Sequence, residues 1–310
     1  MQANWKSALA YGGAASIVAA LTAGVASALP SGDYGYSDWS APVSAENGSD
    51  AMLNTSATDG CPIMSPDGLD LYMASNRPGS DGGKLDIWVA HRSKTTAGWG
   101  APERLPAPVN TAVDEFCPTP VRGHGLFFVS RRDDPNGDIY FTRWTKSGWN
   151  TPERLSANIN SSAQEWSPSY FELEGGTPVL YFSSTRNGTQ DIFASVNWGP
   201  AQAVGELNTG ADDARPNVRH DGKEIVFDST RAGGAPDVWT ATRESPTGTW
   251  STPHPIAIVN SPAGESRASL SWDGTYMLFG SSRPGEGVPP TTDIYVSHRT
   301  RTIGGSATDN

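Results

Sequence analysis

Residues 54–88 read NTSATDGCPIMSPDGLDLYMASNRPGSDGGKLDIW, and the markers in this stretch return four more times in the same order. The pattern is Asn-[Ser/Thr], an acid five residues after the Asn, usually a Pro, a Gly turn, an apolar run, Ser-x-Arg and Asp-[Ile/Val]-aromatic. The Asn is Asn54, Asn110, Asn160, Asn208 and Asn260, and the acid is Asp59, Glu115, Glu165, Asp213 and Glu265. Ser-x-Arg supplies Arg77, Arg132, Arg186, Arg231 and Arg283, and the last motif begins at Asp86, Asp138, Asp191, Asp237 and Asp293. A period of about fifty residues without a helical pattern implies one small β-sheet per repeat, arranged radially. The expected fold is all-β, a five-bladed β-propeller.

Within one repeat, four short runs rich in Val, Ile, Phe and Tyr alternate with Gly, Asn and Asp turns. In the second repeat these are Cys117–Val121, Leu126–Ser130, Asp138–Arg143 and Pro152–Leu155. Asp67-Gly68, Asp221-Gly222 and Asp273-Gly274 supply tight turns between the first two runs, which Gly123-His124-Gly125 and Glu174-Gly175-Gly176 replace in repeats two and three. Trp99, Trp149, Trp198 and Trp250 follow the first four Asp-[Ile/Val]-aromatic motifs and mark the outermost strand, whereas nothing equivalent follows Asp293. The run Trp39-Ser40-Ala41-Pro42 stands alone before the first repeat, so the N-terminal strand is expected to complete the last blade and close the ring.

The repeat resembles the PD40 (WD40-like) propeller repeat of TolB-type bacterial cell-envelope proteins. The resemblance rests on Ser65-Pro66-Asp67-Gly68, Leu71 to Gly79 and Leu85-Asp86-Ile87-Trp88, and it extends from Trp39 to Arg299. It implies a propeller outside the cytoplasm, in a family with partner-binding, scaffolding and carbohydrate-active members.

The chain starts like an exported one. Lys6 gives a positive n-region, Ala8 to Val25 is small and apolar, and Ala26-Ser27-Ala28 is an A-x-A cleavage site, so residues 1–28 read as a signal peptide; the alternative is a retained anchor. No later segment is long and apolar enough to span a bilayer. Residues 39–299 form the propeller, and residues 300–310, rich in Gly, Ser and Thr, read as a disordered tail. A net charge of −11 argues against nucleic acid as a partner. The expected location is secreted or periplasmic, the expected state a monomer, and no cofactor is implied. Cys61 and Cys117 are equivalent positions of adjacent repeats, placed either to form a disulfide or to remain two buried thiols.

The five acids head the inner strands and form a carboxylate ring near one channel mouth. Present in every copy, they serve a task that every copy shares, namely pairing with the Ser-x-Arg arginines. The repeated Asn and Asp read as turn caps and the Trp as filling between blades. Function is expected where the copies differ. Phe116 and Trp166 make one sector aromatic; Asp212, Asp213, Arg215, Asp228 and Arg267 make another charged. Aromatic faces stack on sugars and arginine pairs clamp anions, while the structural alternative is inter-blade packing and neutralisation of the acid ring. Strand alternation puts Arg215 on the face of Asp213 and Arg267 on that of Glu265.

The leading function is non-catalytic binding of a glycan or an envelope protein by Arg215, Arg267, Phe116, Trp166 and Asp228. The alternative is a glycoside hydrolase or polysaccharide lyase using carboxylates among Asp114, Asp213 and Asp228. No metal site is expected: the loop Asp133 to Asp138 lacks a distal bidentate Glu, and the histidines have no zinc spacing. No Gly-x-Ser-x-Gly elbow is present.

Overall fold

The computed structural model describes residues 34–46, 51–284 and 291–303. The described residues between 37 and 300 build five radial antiparallel sheets, each running outward from its innermost strand. The inner strands are Asp59–Met64, Glu115–Val121, Glu165–Glu172, Asp213–Val218 and Glu265–Leu270. The second strands are Asp70–Ser75, Gly125–Ser130, Pro178–Ser184, Glu224–Ser229 and Tyr276–Ser281. The third are Asp86–His91, Asp138–Thr145, Asp191–Val196, Asp237–Thr242 and Asp293–His298. The propeller expected from the repeat is the fold observed.

The second strands hold the core. Gly125–Ser130 and Glu224–Ser229 are buried at every position, because each sheet is covered by a neighbouring blade on both faces. Polar alternation is therefore lost where Phe127, Phe128, Phe182, Phe227 and Phe279 pack.

Ring closure is as the sequence suggests, with one change of detail. Val43–Ser44 pairs with Asp293–His298 and completes the fifth blade. The strand lies four residues beyond Trp39, and the other outer strands, Glu103–Arg104, Glu153–Arg154, Gln202–Ala203 and His254–Pro255, lie four residues beyond their Trp. The Trp is thus not the outermost strand itself. In three blades it sits under an arginine: Arg92 over Trp99 at 4.1 Å, Arg243 over Trp250 at 4.0 Å and Arg299 over Trp39 at 4.2 Å. Among the described residues, blade two alone adds a short hairpin, Gly148–Trp149 pairing back on Trp144 and Thr145.

The repeated Asn residues staple blades rather than cap turns. Each accepts and donates at one residue of the preceding third strand: Asn110 at Ile87, Asn160 at Ile139, Asn208 at Ile192 and Asn260 at Val238. Asn54 makes the same pair with Ile294, 240 residues away, and so ties blade one to blade five.

A separate two-stranded sheet pairs Tyr34–Tyr36 with Arg301–Ile303. The tail expected to be disordered therefore begins with an ordered strand, because the residues before the propeller supply it with an edge to pair with. The proposed signal peptide, residues 1–28, lies outside the described residues. Among the described residues no helix is long and apolar enough to cross a membrane.

Candidate functional site

The five ring acids are fully buried and fully employed. Glu165 accepts the Ser161 amide at 2.8 Å, the Ser161 hydroxyl at 2.7 Å, the Ser184 hydroxyl at 2.8 Å and the Arg186 guanidinium at 3.1 Å. Asp59, Glu115, Asp213 and Glu265 repeat the arrangement with Arg77, Arg132, Arg231 and Arg283. Each arginine also reaches the carbonyl just before the repeated Asn, as Arg77 reaches Leu53 at 2.6 Å. Asp213 accepts from Thr209, Ser229 and Arg231, so both of its oxygens are engaged by its own blade.

Two residues past each acid the inner strand bulges. The register with the second strand shifts in all five blades. The residue at the bulge is left-handed although never Gly: Cys61 and Cys117 at φ 48°, Ser167 at 53°, Arg215 at 54° and Arg267 at 58°. These five side chains line the central channel, whose cavity is about 40 Å³. The bulge overturns the expected alternation. Arg215 does not share the surroundings of Asp213; it pairs with Asp228, the residue opposite Ala214.

Identity at the bulge divides the channel in two. On one side Cys61 and Cys117 are bridged, with Cα atoms 4.9 Å apart, and the Ser167 hydroxyl lies 3.2 Å from the Cys117 sulfur. On the other side stand Arg215 and Arg267. The Arg267 amide donates to Asp228 Oδ1 at 3.0 Å, and the Arg215 amide donates to the Ser183 hydroxyl at 2.6 Å. Burial raises the Asp228 carboxyl above its ordinary range, against the pull of Arg215. Burial, and then the charge of Arg215, push Arg267 down to about 10, which leaves it a cation at neutral pH. The buried Arg267 Nε has no hydrogen-bond partner among the described residues. At the other end of the channel Trp272 packs against His220, ring centres 4.5 Å apart, and under Arg122 at 4.5 Å.

Phe116 and Trp166 meet each other but are not among the channel-lining residues. Their rings touch edge to face at 5.5 Å, Arg131 lies over both, and Trp166 Nε1 donates to the Asn136 carbonyl at 2.8 Å. Asp114 belongs to this cluster, accepting Arg131 at 2.6 Å and the Leu85 amide at 3.0 Å. The structure therefore gathers Arg215, Arg267 and Asp228 in one place and Asp114, Phe116 and Trp166 in another. Every one of the three suspected catalytic carboxylates is ion-paired to an arginine.

The loop from Asp133 to Asp138 spends its oxygens on protein groups: Asp133 on the Tyr140 hydroxyl, Asp134 on the Asn136 amide and Asp138 on Arg154. Among the described residues no three His, Cys, Asp or Glu converge as metal ligands.

A second cavity escaped the sequence reading. It lies between blades one and two, measures about 670 Å³ and is lined in part by Trp144, Trp149, Asp67 and His124. A signal for it was present in the replacement of the blade-two Asp-Gly turn by Gly123-His124-Gly125.

No protein-family model matches the chain, and no curated protein matches it. Solved structures do. A TolB from Agrobacterium tumefaciens is 17% identical over 89% of this chain and 92% of its own, with a TM-score of 0.51. An α-L-arabinofuranosidase from Lactobacillus brevis is 13% identical over 78% and 90%, with a TM-score of 0.52. An endo-1,4-β-xylanase from Bacteroides thetaiotaomicron is 15% identical over 81% and 95%, with a TM-score of 0.52. At such identities the likeness is one of fold. The propeller is shared with TolB and with glycoside hydrolases alike, so the choice of function rests on this chain's own residues.

Proposed function

We propose that the protein is an exported, non-catalytic binding propeller of the cell envelope, and that its ligand, a glycan or a partner protein, presents an anionic group to the channel beside Arg267. The observation that carries this reading is the charge balance of the bulge. Arg215 pairs directly with Asp228, whereas Arg267 feels that carboxylate's charge, makes only a backbone hydrogen bond to it and keeps an unpartnered Nε. A carboxylate or sulfate there would gain a charge-assisted hydrogen bond and relieve a buried cation. The small channel admits such a tip but no sugar ring. The enzyme reading finds less support, since a catalytic carboxylate pair needs an open gap between two acids, and Asp114, Asp213 and Asp228 each face an arginine. Export is supported by the leader-like residues 1–28 and by the cysteine bridge.

The test is titration of the mature chain with uronic-acid and sulfated oligosaccharides, their neutral counterparts, and a peptide with a free carboxy terminus. Arg267→Ala should weaken the acidic ligand roughly tenfold or more, the usual loss for one charge-assisted contact. The oligosaccharide and peptide arms tell a glycan from a protein partner. If acidic ligands bind equally well to wild type and Arg267→Ala, the channel is not the site; release of reducing sugar from any of them reinstates the enzyme.

A further inference from the structure

Blade two departs from the repeat at two places that are distant in sequence and adjacent in space. The first is the residue six positions after the repeated Asp. It is Arg92, Arg243 and Arg299 in blades one, four and five, where it covers that blade's outer Trp, and Asn197 in blade three. In blade two it is Trp144, which meets Trp149 edge to face at 5.5 Å and remains 47% exposed. A covering cation has become an open indole face. The second departure is the turn Gly123-His124-Gly125, in which His124 takes the left-handed conformation at φ 60°. Both line the cavity between blades one and two.

We infer that this cavity is a saccharide-binding site. Its volume of about 670 Å³ falls within the range of small-ligand pockets, roughly 300–1,000 Å³. The indoles offer an apolar face suited to the C–H face of a sugar ring. Across from them stand polar groups whose directions are already fixed. Asp67 is held by the Ser65 hydroxyl at 2.6 Å and the Leu69 amide at 3.0 Å, and His91 is held by Asp70 at 2.6 Å. Fixed carboxylate and imidazole groups match hydroxyls, which both donate and accept. The lining carries both signs of charge, which favours a neutral sugar over a strongly charged ligand. A walled cavity between two blades also suits a short oligosaccharide better than an extended peptide, which would need a strand edge.

This site deepens the binding reading by naming a ligand class, but it uses none of the channel residues. The experiment is calorimetric titration of the mature chain with neutral pentose and hexose di- to tetrasaccharides, with indole fluorescence as a second readout. At least one sugar should bind and shift the fluorescence. Trp144→Ala should weaken it roughly tenfold or more, as loss of a central aromatic contact does, and Trp144→Phe should restore part of the loss. Trp144 is half exposed, so the variants fold, which circular dichroism checks. If no neutral sugar binds, or if binding survives Trp144→Ala unchanged, the inference is overturned. Sugar binding lost in Arg267→Ala but kept in Trp144→Ala moves the site away from this cavity and overturns the inference too. Sugar binding that depends on Trp144 while acidic ligands fail to bind leaves this inference standing and removes the channel reading.

Discussion

Glu165→Gln separates a structural acid ring from a functional one. The carboxylate is fully buried and takes four donors, two from Ser161 and one each from Ser184 and Arg186. Gln preserves the shape and one oxygen. Its amide nitrogen then faces either the Ser161 amide or the hydroxyl and guanidinium cluster, so at least one donor meets a donor. Arg186 also loses its counter-charge. Breaking a buried ion pair costs about 3–5 kcal/mol and a charge-assisted hydrogen bond about 1.5–3 kcal/mol. Arg186 is 21% exposed, so solvent recovers some of that. It also keeps the Ile159 carbonyl and packs over Phe193 at 4.7 Å. The expected loss is about 2–4 kcal/mol, a fall in melting temperature of roughly 5–10 °C for a domain of this size. Thermal melts followed by circular dichroism measure it, with the exposed Glu174→Gln as a control that melts like wild type. If Glu165→Gln also melts like wild type yet loses ligand binding, the acid serves function rather than fold.

Two further outcomes follow from the closure and the bridge. A chain beginning at Asn47 loses the Val43–Ser44 strand and Trp39, and should be destabilised by on the order of 3 kcal/mol or more, while a chain ending at Thr300 melts close to wild type; equal melting of both would refute closure by this strand. Thiol titration of unfolded, unreduced protein should find no reactive cysteine, and opening the Cys61–Cys117 bridge should cost about 4 kcal/mol in the chain-entropy model; two free thiols would contradict the bridge.

The fold was legible because repetition reports geometry directly. Five copies of one strand-and-turn pattern admit a radial arrangement and little else, and the unpaired Trp39 run showed where the ring closes. The acid–arginine pairing was legible for the same reason: a group kept in all blades must meet another kept in all blades. The Asn residues were misjudged because Asn serves turns so often that its other use, a two-point clasp on a neighbouring strand, leaves no local mark. The bulge was hidden for a different reason. Left-handed residues are usually Gly or Asn, whereas these are Cys, Cys, Ser, Arg and Arg, so the alternation rule was carried through a point where the strand breaks phase. Trp144 passed unnoticed because its meaning lies in the arginine it replaces, which appears only when blades are superposed in register.

On the proposed reading, the charged side of the channel is a binding site, and its supports can be traced residue by residue. One reading of Arg215 and Arg267 was that they neutralise the acid ring. That task is already filled, since every ring acid has its own arginine from Ser-x-Arg. The two bulge arginines are instead supported by two other departures from the repeat. The position just before the Ser of Ser-x-Arg is Ala74, Val129 and Gly280 in three blades, but Ser183 and Asp228 in the other two. Ser183 accepts the amide of Arg215 in the next blade, and Asp228 accepts the amide of Arg267 in the blade after that. Arginine at the bulge thus comes with an acceptor on the preceding blade, and cysteine does not. A left-handed non-glycine residue costs about 1–2 kcal/mol, and the acceptors offset part of that where the arginines stand. Asp228 then serves twice, accepting the Arg267 amide and pairing with the Arg215 side chain, so two guanidinium charges share one carboxylate. On the proposed reading, three blades hold two guanidinium groups against one carboxylate at the channel wall, and an anionic ligand would balance the excess charge.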